Sequence, residues 1–433
     1  MSARKIGFLI LILAFGGIVE TAWHVRENHF AFGPEGFRVL GGRFYGPSFT
    51  FEESAERVVE ADPALEIEVR NSFGGVRIVP GPGPEVQVKL RKVVFQPTEK
   101  KARAFADRLE LRLKEEDGRL RVGTNRDEVG RRENVGFETH LELLVPPDAG
   151  AWIRNDHGRV EASGIAWVDV RNSFDDIRVE RIAGPVKIDS RQGAVEATDL
   201  GAELTLKSRH GDVEVVDIAG PLDLDVQHGK LTARRTAEVD AKVGYGHVVV
   251  EQVQGDVRVE ARHAGARIAD VSGAVEVQTS YDGIRLGRIG GDVTASTREG
   301  GVTAQTLGGD VHVRARGDDV SIDGFRGPVD VEDEGGDVLL VAATPITKAV
   351  TVSARRGGVR LEVPPGSRFE LEAESRRGDL LLDLPGLDLS GSDAGAAGRA
   401  TGTLGGGGAR VKLTADDDIT LAPASAALPA EKP

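Results

Sequence analysis

The chain has 433 residues, with 56 Gly, one Met, no Cys and a 40% hydrophobic share. Without Cys it can form no disulfide, thiolate metal site or N-terminal cysteine lipid anchor, although this leaves its compartment open. Lys and Arg number 55 against 69 Asp and Glu, a net charge of −14, which argues against nucleic acid or an anionic membrane surface as the main partner.

Arg4 and Lys5 precede an uncharged run from Ile6 to Val19, closed by Glu20. Basic residues before a short apolar core are the pattern of an export signal and hold the N-terminus on the cytoplasmic side. Counted on to His24, the segment is just long enough to span a bilayer. Residues 1–24 are therefore read as an uncleaved, single-pass signal anchor. Cleavage is the competing reading, because Ala14 and Gly16 satisfy the small-residue spacing. Either way, the bulk of the chain is expected outside the cytoplasm, periplasmic or at the cell surface. Residues 25–48 form a linker within an aromatic-rich stretch that runs from Trp23 to Phe51. Two uses stay open for those rings: an interfacial belt beside the membrane, or packing over an open end of the folded domain.

Residues 49–150 are expected to hold a first rung and a cap. IEVRNSFGGVRI, from Ile67 to Ile78, closely echoes VDVRNSFDDIRV, from Val168 to Val179. Between them, TEKKARAFADRLE (Thr98 to Glu110) predicts a helix, and LELRLKEEDGRLRV a hairpin turning at Asp117-Gly118. Together these predict a small α+β cap.

From residue 151 to 386 the chain repeats. Units begin at Val168, Val186, Leu204, Leu222, Val239, Val257, Val275, Val293, Val311 and Val329, each step 18 residues except a 17-residue step after Leu222. Looser units start at Ala151, Val350 and Phe369. A fixed period near 20 residues signals a solenoid. Positions 1 and 3 of each unit are apolar, as are 10, 12 and 15, with polar residues between. That period of two places one face inside and one outside. Gly or Asp at positions 8 and 9, and Gly at 17, mark corners that turn tightly or need φ > 0. The predicted fold is all-β, a parallel β-helix of about 13 rungs. The apolar positions do not recur every six residues, which excludes a left-handed hexapeptide coil, so a right-handed one is expected. Residues 387–408 read as a flexible Gly/Ser/Ala loop, 409–421 as a terminal strand pair, and 422–433 as a disordered Ala/Pro tail.

LELLVPPDAGAWIRNDHGRVEASGI (Leu141 to Ile165), the serial G-D-V-x-V rungs, GVRLEVPPGSRFELEAESRRGDLLLDLPG (Gly358 to Gly386) and GGGGARVKLTADDDITL (Gly405 to Leu421) carry a resemblance. In their order, over roughly residues 49 to 421, the chain resembles the bacterial putative-adhesin domain family of exported or membrane-anchored β-solenoids. The resemblance implies fold, export and a non-enzymatic default. It brings no catalytic residues, because the family has no agreed ones.

No Ser/His/Asp arrangement, phosphate loop or HExxH motif occurs. Gly-Gly-Asp recurs at 290–292, 308–310 and 335–337, without the nine-residue period of calcium-binding β-rolls, so these are read as turns. Asp175-Asp176 and Asp318-Asp319 also fall at turn positions, too many rungs apart to act on one bond. No catalytic residue, metal or cofactor is assigned.

Position 7 is the informative column. It reads Phe73, His157, Phe174, Gln192, His210, His228, Tyr245, His263, Tyr281, Glu299 and Gly317. The five rings from His210 to Tyr281 would lie about 4.8 Å apart, close enough to stack. They are the candidate ligand-binding residues: a flat strip for a sugar polymer, or a His ladder for a transition metal. Arg191, Arg209, Arg262, Arg298 and Arg316 at position 6 would give that strip a cationic margin. The alternative is a purely intramolecular stack that stiffens the corners.

The function expected is a non-enzymatic, membrane-anchored scaffold or adhesin-like protein, with an envelope protein or polysaccharide as partner and no nucleic acid. No feature specifies an oligomeric state. Two rivals are a carbohydrate-active β-helix protein, binding or cleaving polysaccharide, and an envelope sensor reporting through the N-terminal segment.

Overall fold

The computed structural model describes residues 38–40, 43–45, 47–57, 66–116, 118–130, 135–393 and 398–424. The expected signal anchor at 1–24, most of the 25–48 linker and the tail beyond Ala424 lie outside them. Among the described residues no helix is long and apolar enough to cross a membrane. The fold is an all-β solenoid of about 12 turns, mostly of parallel strands, with few helices. Its contacts divide into two units, residues up to Arg178 and residues from Val179.

In the first unit, strands Glu66–Phe73, Gly150–His157 and Trp167–Phe174 lie parallel and in register, with Ile67 beside Ala151 and Ala151 beside Val168. The predicted hairpin forms from Leu111–Glu116 and Arg119–Thr124, and the helix spans Glu99–Ala106. Thr98 caps that helix, its Oγ1 accepting the Lys101 N–H at 3.4 Å. Ala102, Phe105 and Ala106 pack against Val94, Leu109 and Phe137. The insertion is more than a cap, however. Arg119–Thr124 pairs parallel with Glu66–Phe73, and Gly136–Val145 pairs parallel with Val76–Pro80. The inserted chain thus supplies a coil beside the Ile67 coil. Strands Val86–Phe95 and Ser48–Arg57 continue from it, antiparallel.

In the second unit each residue sits beside its equivalent one coil on: Leu204 beside Val186 and Leu222, Val257 beside Val239 and Val275, Val311 beside Val293 and Val329. The predicted apolar columns form the core. In the Val257 coil, Val257, Val259, Ala266, Ile268 and Val271 are all buried. Each fully buried Val, Leu or Ile contributes about 1.5–3 kcal/mol. The 17-residue coil from Leu222 to Glu238 keeps Leu231 and Ala233 inside and Arg235 in the left-handed conformation at position 14. Its missing residue is therefore taken from the corner between Thr236 and Val239.

The C-terminal coils do not follow in chain order. Ala409–Ala415 pairs parallel with Val350–Ala354 on one side and with Phe369–Ser375 on the other. Ile419–Pro423 likewise lies between Val359–Val363 and Leu380–Leu382. The last coil of the chain is thus inserted between two earlier ones, so the Phe369 unit does not stack directly on the Val350 unit as its place in the repeat suggested.

Two expected irregular segments are ordered strands instead. Within 387–408, Leu387–Asp393 runs antiparallel to Arg399–Leu404, which runs antiparallel to Phe369–Ser375. Small residues hid this strand: Ala400 and Gly402 occupy two of its three buried positions, with Leu404 the third, and a Cβ on Gly402 would come within 2.9 Å of the Asp388 carbonyl oxygen. Residues 422–424 of the expected tail are ordered, since strand Ile419–Pro423 includes two of them and the Ala424 N–H donates to the Val363 carbonyl at 2.9 Å.

Candidate functional site

In-register coils bring the five predicted rings together. His210 is beside His228 and Tyr245 beside His263 in the strand register. Successive ring centroids from His210 to Tyr281 are 4.8, 4.9, 4.6 and 4.2 Å apart, with planes within 11° of parallel. In two of these coils the next residue has to be glycine. Gly229 and Gly246 have φ of +142° and +135°, and a Cβ on Gly246 would lie 2.0 Å from the Gly229 carbonyl oxygen. Only glycine satisfies both demands. The first unit has a shorter stack of the same kind, Phe73, His157 and Phe174, at 4.3 and 4.4 Å.

Position 5 differs along the ladder. In several coils, including the Tyr281 coil of the ladder itself, a buried polar side chain there ties down the corner. Thr279 Oγ1 donates to the Asp282 carbonyl at 2.7 Å, and Asp333 accepts the Gly336 N–H at 2.8 Å. In three consecutive ladder coils the position holds Val226, Val243 and Ala261, which can do neither.

Parallel rings at these distances cover one another's faces. Only the outer faces of the end rings, His210 and Tyr281, have no ring over them, so the flat strip of faces expected for sugar stacking does not form. The ladder presents edges instead: imidazole nitrogens and phenol hydroxyls, with Tyr245 and Tyr281 each 50% exposed. Among the described residues no three His, Asp or Glu side chains converge as metal ligands.

Beside the ladder lies a groove of about 800 Å³. Asp225, Lys242, Glu260 and Gln278 line it from position 4, and Gln227, Gly244, Arg262, Ser280 and Arg298 from position 6. His228, Tyr245, His263 and Tyr281 form its ring wall, while His210 stands outside it. A second recess of about 270 Å³ shares Gln278 and Arg298 and adds Arg314, Arg316, Glu332 and Glu334. Arg314 and Arg316 pair with Glu332 and Glu334 at 3.3 and 3.7 Å. Glu260 pairs with Arg258 at 3.4 Å. Lys242, Arg262 and Arg298 form no ion pair among the described residues.

The turn acids are structural. Asp256 Oδ1 accepts the Ala274 N–H, Asp292 Oδ1 the Asp310 N–H and Asp319 Oδ1 the Asp337 N–H, each at 2.8 Å. Each carboxylate thereby links its coil to the next.

One column escaped the sequence reading. Asp199, Asp217, Arg235, Gln252, Asp270, Arg288 and Thr306, all at position 14, have φ between 51° and 60°, a region that non-glycine residues seldom enter. Within it, Asp217 accepts from Arg235 at 2.5 and 2.8 Å, and Asp270 from Arg288 at 2.5 and 2.7 Å. The hydrogen bonds and charge of each guanidinium hold its Asp partner's carboxyl below the ordinary aspartate value. The legible signal was Asp at position 14 with Arg one coil later.

No protein-family model matches the chain, and no curated protein matches it. Among solved structures it is similar to a putative cell adhesion protein from Clostridium sporogenes, at 8% identity and a TM-score of 0.17, over 86% of this chain and 99% of that one. A likeness so distant carries no functional argument. The solenoid is established by its own coil pairing.

Proposed function

We propose that this chain is a non-enzymatic interaction protein, held outside the cytoplasm by its N-terminal segment, whose second unit docks an extended polysaccharide. The observation that carries this reading is the ladder of exposed ring edges beside a groove that crosses successive coils. A His nitrogen or Tyr hydroxyl recurs with each coil, and both groups donate and accept hydrogen bonds, as sugar hydroxyls require. The groove wall is polar, which suits a glycan better than an apolar peptide anchor.

Cleavage of the bound polymer is the rival. It would fall to Asp225 and Glu260, the two carboxylates in the groove, and Glu260 is already ion-paired. Incubation with candidate polysaccharides should give retention on the protein without shortened chains, and product release would favour the rival.

Phenylalanine substitution separates docking from stiffening. His228→Phe, Tyr245→Phe and His263→Phe keep the stack but remove its polar edges. Glycan affinity measured on the full chain in detergent should fall at least tenfold with an unchanged Tm. Unchanged affinity in these variants would leave the ladder a structural device only.

A further inference from the structure

Resting on the polysaccharide reading above, we infer that the polymer is an acidic glycan whose carboxylates are read by Lys242, Arg262 and Arg298. These cations line the groove with no ion pair among the described residues, whereas Arg314 and Arg316 in the adjoining recess are both neutralised by glutamates. Two acids face the same groove. Glu260 is held by Arg258, and Asp225 lies on the Leu222 coil, the opposite end of the groove from Arg298. Unbalanced positive charge therefore concentrates along the ladder from Lys242 to Arg298.

The spacing narrows the chemistry. Arg262 and Arg298 occupy the same position two coils apart, with the small Ser280 between them, which sets their backbones about 10 Å apart at 4.8 Å per coil. A chain bearing one carboxylate on alternate sugars can present its charges at a comparable interval. Each arginine offers a planar fork of donors that matches a carboxylate in two parallel hydrogen bonds. An acidic peptide fits less well. It would need a free sheet edge for its backbone, but the neighbouring coils already pair with one another through these strands. With a chain net charge of −14, a polyanion is attracted only where the local charge reverses, so binding should be confined to this groove and weakened by salt.

The test uses the full chain in detergent, titrated with hyaluronate, polygalacturonate, dextran and poly-glutamate at low and high salt. Hyaluronate and polygalacturonate should bind at least tenfold tighter than dextran, with the advantage lost at high salt. The triple variant Lys242→Gln, Arg262→Gln, Arg298→Gln should bring acidic glycans down to the dextran level with unchanged Tm, because all three side chains are exposed. The control pair Arg314→Gln, Arg316→Gln should change affinity less than twofold. Dextran binding as tightly as the acidic glycans would overturn the acidic assignment and leave the docking reading standing. Binding of no glycan at all would overturn both. Poly-glutamate binding as tightly as the glycans, or acidic binding untouched by the triple variant, would also overturn the inference.

Discussion

Thr306 holds a β-branched side chain at φ +57°, where crowding between Cβ and backbone costs about 1–2 kcal/mol. The equivalent residue one coil later is Gly324, at φ +85°. Thr306→Gly should therefore raise Tm, by about 0.5–1 kcal/mol of stability once the extra freedom of an unfolded glycine is offset, as calorimetry would show; a lower Tm would contradict the strain. Asp333 is a second residue under tension. It is 1% exposed, and burial lifts its carboxyl above the ordinary aspartate value despite hydrogen bonds from the backbone of its own turn. Between the ordinary and raised values the folded chain binds more protons than the unfolded one, so stability falls as pH rises through that window and stays lower above it. Asp333→Asn should flatten that decline and raise Tm at pH 7, while keeping an acceptor for Gly336. Matching pH–Tm curves for the two proteins would refute the effect.

Coils share their core through columns, so the cost of a substitution depends on where its coil stands. Leu413 and Leu421 are fully buried in the inserted final coil, while Leu381, on a strand that pairs with that coil, is 53% exposed. Leu413→Ala or Leu421→Ala should cost about 2–5 kcal/mol, against about 0.5 kcal/mol or less for Leu381→Ala. Denaturant unfolding checks the contrast, and equal losses would contradict the insertion. The same element explains what the sequence left unread. Repetition announces a coil but not the order of coils, and nothing in ARVKLTADDDITL states that it returns between two predecessors. Strand Arg399–Leu404 was invisible for a related reason, since alanine and glycine fill two of its three inward positions and register as loop.

For the molecule as a whole, the eighteen-residue period made the solenoid, its inward columns and the five ladder rings legible, because parallel in-register pairing turns sequence spacing directly into spatial neighbours. The first unit was harder to read, since its coil from Arg119 to Val145 arrives through a hairpin and a long strand that repeat nothing. Spacing also predicted that the ladder rings stack; that the stack leaves only their edges open follows from planes within 11° of parallel. Export rests on residues outside the described fold and has its own test. Alkaline phosphatase fused after Ala424 should be active in an intact bacterial host, and inactive once Ile6 to Val19 is deleted. Activity without that segment would remove the case for it as the export signal.

The short coil from Leu222 to Glu238 has a consequence for how this chain can vary in length. A residue lost from a strand would slip the phase of every later side chain, turning core outward and breaking the ring column. Here the loss falls at a corner, and Tyr245 still meets His228 at 4.9 Å. The corner between Thr236 and Val239 behaves as an expansion joint: it takes up a change in contour length without passing it on.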